Sequence, residues 1–77
     1  MAENQRNLVI STEYIKLESA LKLANAVYSG GEAKALIQQG EARVNGEVCT
    51  MRGKKLRPGD EVEFMGSSFW ICNHESD

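Results

Sequence analysis

Long apolar runs are missing from this 77-residue chain, as are the cysteines that staple a secreted miniprotein. Nothing approaches the roughly 20 apolar residues that a membrane-spanning helix requires. The opening Met-Ala-Glu-Asn-Gln-Arg is too polar for a signal peptide, so a cytoplasmic protein without a membrane partner is expected. Two cysteines, Cys49 and Cys72, are too few for a disulfide framework and read as small apolar strand residues in a reducing compartment. Histidine is limited to His74, near the end of the chain, and no pair of cysteines or histidines has zinc-ligand spacing. The same scarcity leaves no serine, threonine or cysteine with a positioned base, so neither a catalytic residue nor a cofactor is expected. Ser29-Gly30-Gly31 lacks the Lys-Ser/Thr that completes a nucleotide-binding loop, and helix capping explains it better.

What is present is charge, and it is unevenly placed. The formal total is only -2, yet residues 34–59 hold six basic and two acidic groups, whereas residues 60–77 hold five acidic groups and no basic one. Such polarity attracts phosphate to one side of a molecule and repels it from another. The densest cluster is Arg52-Gly53-Lys54-Lys55, where three cations in four residues can converge on a nucleic-acid backbone and glycine permits close approach. Lys22 and Lys34 sit off the apolar stripes of their helices and can reach phosphate as flexible point charges. Arg43 and Arg57 are weaker candidates, since strand and turn arginines often pair with carboxylates such as Glu41 or Asp60. Tyr14, Tyr28, Phe64, Phe69 and Trp70 do not interleave with the basic cluster, which argues against a single-strand binder that stacks bases on rings.

The pattern predicts one α+β domain over residues 1–77, with a core at about 8–72 and flexible ends at 1–6 and 73–77. Asn7 to Ser11 reads as a strand through Leu8, Val9 and Ile10. Leu17, Ala20, Leu21, Ala24 and Val27 recur at helical spacing. Ser29 and Glu32 form a capping box, and Gly40 closes the helix it starts. Ala42-Arg43-Val44 and Glu47-Val48-Cys49 flank an Asn45-Gly46 type I′ turn. Arg57-Pro58-Gly59-Asp60 is a second turn, followed by a strand from Glu61 to Met65, a Gly66-Ser67 turn and a strand from Ser68 to Cys72.

Three segments then carry a resemblance: Lys16-Leu17-Glu18-Ser19-Ala20-Leu21, Ser29 through Val44-Asn45-Gly46, and Arg57-Pro58-Gly59-Asp60-Glu61-Val62. Over about residues 15–64 the chain resembles the S4 RNA-binding domain family, and more narrowly its small stand-alone bacterial YaaA and YbcJ group. The resemblance implies an αL motif, two short helices packed on a small, mostly antiparallel sheet, serving as a platform for structured RNA such as ribosomal or tRNA-like RNA. Lys16 stands where that family usually has Arg, and Glu18 where it has Asp. Gly30 replaces the Arg of the family's Ser-Arg helix opening, which removes a guanidinium expected to contact phosphate. The expected function is a non-enzymatic, monomeric RNA-binding module using Lys22, Lys34, Arg43, Arg52, Lys54 and Lys55. The alternative is an adaptor whose acidic C-terminal strands and Phe69-Trp70 contact a protein or ribonucleoprotein complex.

Overall fold

Ser29 starts a helix because its hydroxyl accepts the Glu32 backbone N–H at 3.2 Å, while the Glu32 carboxylate turns back to accept the Tyr28 N–H at 2.7 Å. The reciprocal bond therefore lands one residue earlier than in the ideal capping box, with the same effect of satisfying free amides. The computed structural model describes residues 5–73, with side chains from Asn7 onward; the expectations for residues 1–4 and 74–77, His74 included, lie outside the described residues. In chain order the elements are β1 (Gln5–Ile10), β2 (Ile15–Lys16), α1 (Leu17–Leu23), α2 (Gly30–Gln38), β3 (Ala42–Val44), β4 (Glu47–Val48), β5 (Lys55–Leu56), β6 (Glu61–Phe64) and β7 (Ser67–Asn73). Strand β1 thus starts at Gln5 and β7 runs to Asn73, so Gln5, Arg6 and Asn73 belong to strands rather than to the expected free ends.

Both helices end on the same device. After α1 the Ala26 N–H returns to the Leu21 carbonyl and the Asn25 N–H to Lys22, with Asn25 at φ 60°. After α2 the Glu41 N–H returns to Leu36 and the Gly40 N–H to Ile37, with Gly40 at φ 86°. These paired bonds around a left-handed residue are Schellman motifs, which satisfy the last carbonyls and stop the helix. The expected stripe from Leu17 to Val27 is buried, but the helix stops at Leu23 and Val27 reaches the core from the connection.

Five strands form a sheet in the order β1-β7-β6-β3-β4, antiparallel except for the parallel pair β1 and β7. This is the mostly antiparallel α+β arrangement expected. Alternation sends Ala42, Val44, Val62, Phe64, Phe69 and Ile71 to one face, where they join Leu17, Ala20, Leu21, Ala33 and Ile37 of the helices in one core. Each large aliphatic side chain so buried contributes roughly 1.5–3 kcal/mol. The β6–β7 loop consists of Met65 and Gly66, at φ 51° and 90°, because Phe64 pairs with Ser67. The expected Gly66-Ser67 turn is therefore shifted by one residue. Cys49 falls just past β4 rather than inside it.

A separate antiparallel ribbon joins β2 to β5, pairing Ile15 with Leu56 and Lys16 with Lys55. Ile15 packs against the core, Leu56 is fully buried, and Lys16 and Lys55 are exposed.

Candidate nucleic-acid interface

The ribbon turns one side to the core, so alternation carries every second residue outward. Lys16 and Lys55 face each other across it, and Tyr14 and Arg57 follow at the next outward positions. The Lys55 ammonium lies 4.9 Å from the centre of the Tyr14 ring and the Arg57 guanidinium carbon 5.9 Å from it, both within cation–π range. Like charges placed directly opposite on a ribbon are destabilising. The arrangement therefore favours an anion between them.

Beside the ribbon runs the basic loop. The Lys54 N–H closes a turn onto the Met51 carbonyl at 3.1 Å, with Arg52 and Gly53 at its tip. Two of its carbonyls serve α1: Lys54 accepts from the Leu17 N–H at 2.9 Å and Arg52 from the Glu18 N–H at 3.0 Å. Lys16, the N-cap, supplies no side-chain bond, so the loop backbone caps this helix instead. The backbone of Arg52 and Lys54 is thereby fixed at the start of α1, with both side chains exposed, and Lys54 also lines an open depression with Asn45, Glu47 and Asp60. Among the described residues, none of Lys16, Arg52, Lys54, Lys55 and Arg57 is ion-paired with a carboxylate.

Arg57 was expected to pair with Asp60, but that carboxylate is engaged elsewhere. It accepts the Arg57 backbone N–H at 2.8 Å and the Asn45 amide at 3.2 Å, leaving the guanidinium over Tyr14. Asn45 does more than form its turn. Its side-chain oxygen accepts the Glu61 N–H at 3.0 Å, tying the β3–β4 hairpin to the start of β6.

The helical lysines lie further along. Lys22, in the last turn of α1, brings its Nζ to 3.9 Å from where a side chain on Gly30 would begin. Lys34 is exposed one helical turn beyond Gly30, so the two lysines flank the start of α2. An ammonium from α1 thus stands beside the position from which the guanidinium is missing.

Arg43 does not join this group. It lies on the sheet face opposite the core, directly across from Glu63 on β6, in an open depression of about 300 Å³ that Glu41 also lines. Arg43, a weaker candidate in the sequence because strand arginines often face carboxylates, thus sits on the sheet's outer face rather than on the ribbon. Conversely, Tyr14 and Arg57 were undervalued. Only the ribbon, built from two residues on each strand, brings them to Lys55, and so short an alternation has no readable period.

Comparison with known proteins gives concordant results. Residues 8–72 match the family model of the S4 domain. The Bacillus subtilis (strain 168) protein named "Probable ribosome maturation protein RlbA" is 46% identical over 65 residues, covering 83% of this chain and 92% of that one. The solution structure of YbcJ from E. coli, described as having an αL motif involved in RNA binding, is similar with a TM-score of 0.65 and 30% identity, over 90% of this chain and 86% of that one.

Proposed function

Because the chain belongs to the S4 domain family, we propose that it is a non-catalytic, cytoplasmic RNA-binding module that acts as a monomer on structured RNA. The observation that carries the reading is Lys16 paired across from Lys55 on the β2–β5 ribbon, with Arg57 beside Lys55 over the Tyr14 ring and the Arg52–Lys54 loop capping α1 next to it. Lys22 and Lys34, exposed at either side of the start of α2, are the further cations assigned to RNA contact. Arg43 is left out of the contact set because it lies on the outer face of the five-stranded sheet, across from Glu63, and not on the ribbon.

Spaced cations with a single tyrosine suit an A-form duplex, which proteins read through phosphates, ribose hydroxyls and shape. Consecutive exposed rings, the equipment of a single-strand binder, do not occur on this surface. Similarity to a protein named for ribosome maturation favours ribosomal RNA as the target over tRNA-like RNA.

Titration of a ribosomal RNA hairpin in increasing salt tests the proposal. Four or five phosphate contacts on the duplex stem predict a log–log slope of about -3.6 to -4.5. Lys54→Glu with Lys55→Glu is expected to weaken binding to all duplex sequences alike. Salt-independent binding, or binding indifferent to the double reversal, would refute the assignment.

A further inference from the structure

The fold splits the Phe69-Trp70 pair expected to meet a partner. Trp70 is 38% exposed on the outer face of the sheet, whereas Phe69 is 1% exposed and belongs to the core, out of a partner's reach. That outer face also holds charges of both signs, Arg43 standing across from Glu63, and so selects no occupant. The β2–β5 ribbon differs, because one aromatic ring and two cations meet on it. The Lys55 ammonium and the Arg57 guanidinium both lie over the Tyr14 ring.

We propose that Tyr14 is a positioning residue of the RNA surface: its ring holds Lys55 and Arg57 ready for the phosphate backbone and leaves their N–H groups free to meet it. The inference rests on the RNA reading and assigns a part within it to an uncharged side chain. Lysine and arginine lose much rotamer freedom when fixed, and an exposed cation meets that cost on binding phosphate. A ring that already holds the cations removes part of it before RNA arrives. A carboxylate would also order them, but it would occupy the same donors and cancel the charge. An aromatic face attracts a cation through its quadrupole, and a guanidinium lying on it keeps its in-plane N–H groups available at the edge. The carboxylate nearest to Arg57 in sequence, Asp60, accepts the Arg57 backbone N–H and the Asn45 amide instead. Lys16, directly across from Lys55, repels it, so the pull of the ring is what keeps Lys55 from splaying outward. The ring is itself held. Tyr14 is half-buried, its carbonyl accepts the Thr12 hydroxyl at 2.8 Å, and the adjoining Ile15 packs on the core opposite the fully buried Leu56. A ring covered by the protein's own cations is no platform for a base, in keeping with a duplex rather than a single strand.

Binding of a ribosomal RNA hairpin by Tyr14 variants tests the proposal. Tyr14→Phe keeps the ring and should bind as the parent does. Tyr14→Leu removes no charge, yet it should weaken binding by about fivefold or more. A mutant cycle decides how the ring acts. In a protein already carrying Lys55→Gln and Arg57→Gln, Tyr14→Leu should cost nothing further. The same loss in that background would mean that the ring touches RNA directly or merely supports the fold, and would overturn the proposal. Parental affinity in Tyr14→Leu would overturn it too, as would an equal loss in Tyr14→Phe, which would assign the effect to the hydroxyl. In the free protein, the ring should shift the outer methylene protons of Lys55 and Arg57 upfield in the NMR spectrum, and Tyr14→Leu should abolish the shift; protons unshifted in the parent would show that the cations are not held. Failure of the RNA reading has its own signature: the parent leaves the hairpin unbound, or binds it independently of salt, while the methylene shifts persist.

Discussion

At the scale of single residues, positive φ divides what the sequence displays from what it hides. Asn45 and Gly46 sit at φ 53° and 87°, and both are residue types that tolerate this region, so their turn is readable on sight. Gly40 at φ 86° is equally legible as a helix stop. Met65 at φ 51° is not, because an unbranched apolar side chain carries no turn signal; the reading therefore slid to Gly66-Ser67. The conformation is imposed by the two-residue loop, which needs positive φ at both positions to match the strand twist. Since Met65 is exposed, its side chain offers little packing in return. Met65→Asn is expected to stabilise the fold by about 0.5–1 kcal/mol, because a left-handed conformation costs an ordinary L-residue roughly 1–2 kcal/mol. Thermal denaturation should register it as a rise of a few degrees for a domain of this size. A lowered melting temperature would show that Met65 makes a contact worth more than the strain.

Elements were legible where their determinants are local. The capping box, the Asn-Gly hairpin and the apolar alternation of β6 each lie within a few residues, and each was found. The parallel pairing of β1 with β7 joins the two ends of the chain, with Asn7 opposite Trp70, and no local pattern encodes it. The ribbon between β2 and β5 is likewise non-local, and with it went the cap of α1 by the Arg52 and Lys54 carbonyls. Leu56 is what anchors that cap, being fully buried on β5 directly after the loop. Leu56→Ala is predicted to destabilise the protein by about 2–5 kcal/mol through lost burial and the cavity left behind. Hydrogen exchange should show a local signature too. The Leu17 and Glu18 amides, bonded to the loop, should lose protection ahead of the Val62 amide at the centre of the sheet. Uniform loss would mean that the loop is held by other contacts.

Across the whole molecule, the separation of charge matters more than its sum, and the sequence displayed only half of that separation. Clustering of cations in residues 34–59 and of acids in 60–77 can be counted directly, but numbering alone shows neither that Arg43 stands across from Glu63 nor that Tyr14 and Lys16 join Lys55. Folding sorts the charges by strand face. The consequence can be tested by holding net charge constant while moving it. Lys54→Glu with Lys55→Glu lowers the net charge from -2 to -6, and adding Glu61→Lys with Glu63→Lys returns it to -2. If only overall charge governed encounter with RNA, the fourfold variant would bind as the parent does. A positive ribbon predicts otherwise: the variant should bind duplex RNA as weakly as the Lys54, Lys55 double reversal, because the restored cations lie on the outer face of the five-stranded sheet and not on the ribbon. Affinity measured at two salt concentrations, with circular dichroism confirming an unchanged fold, decides between them. Recovery to parental affinity would show that the ribbon has no privileged role and that phosphate responds to the molecule's mean field.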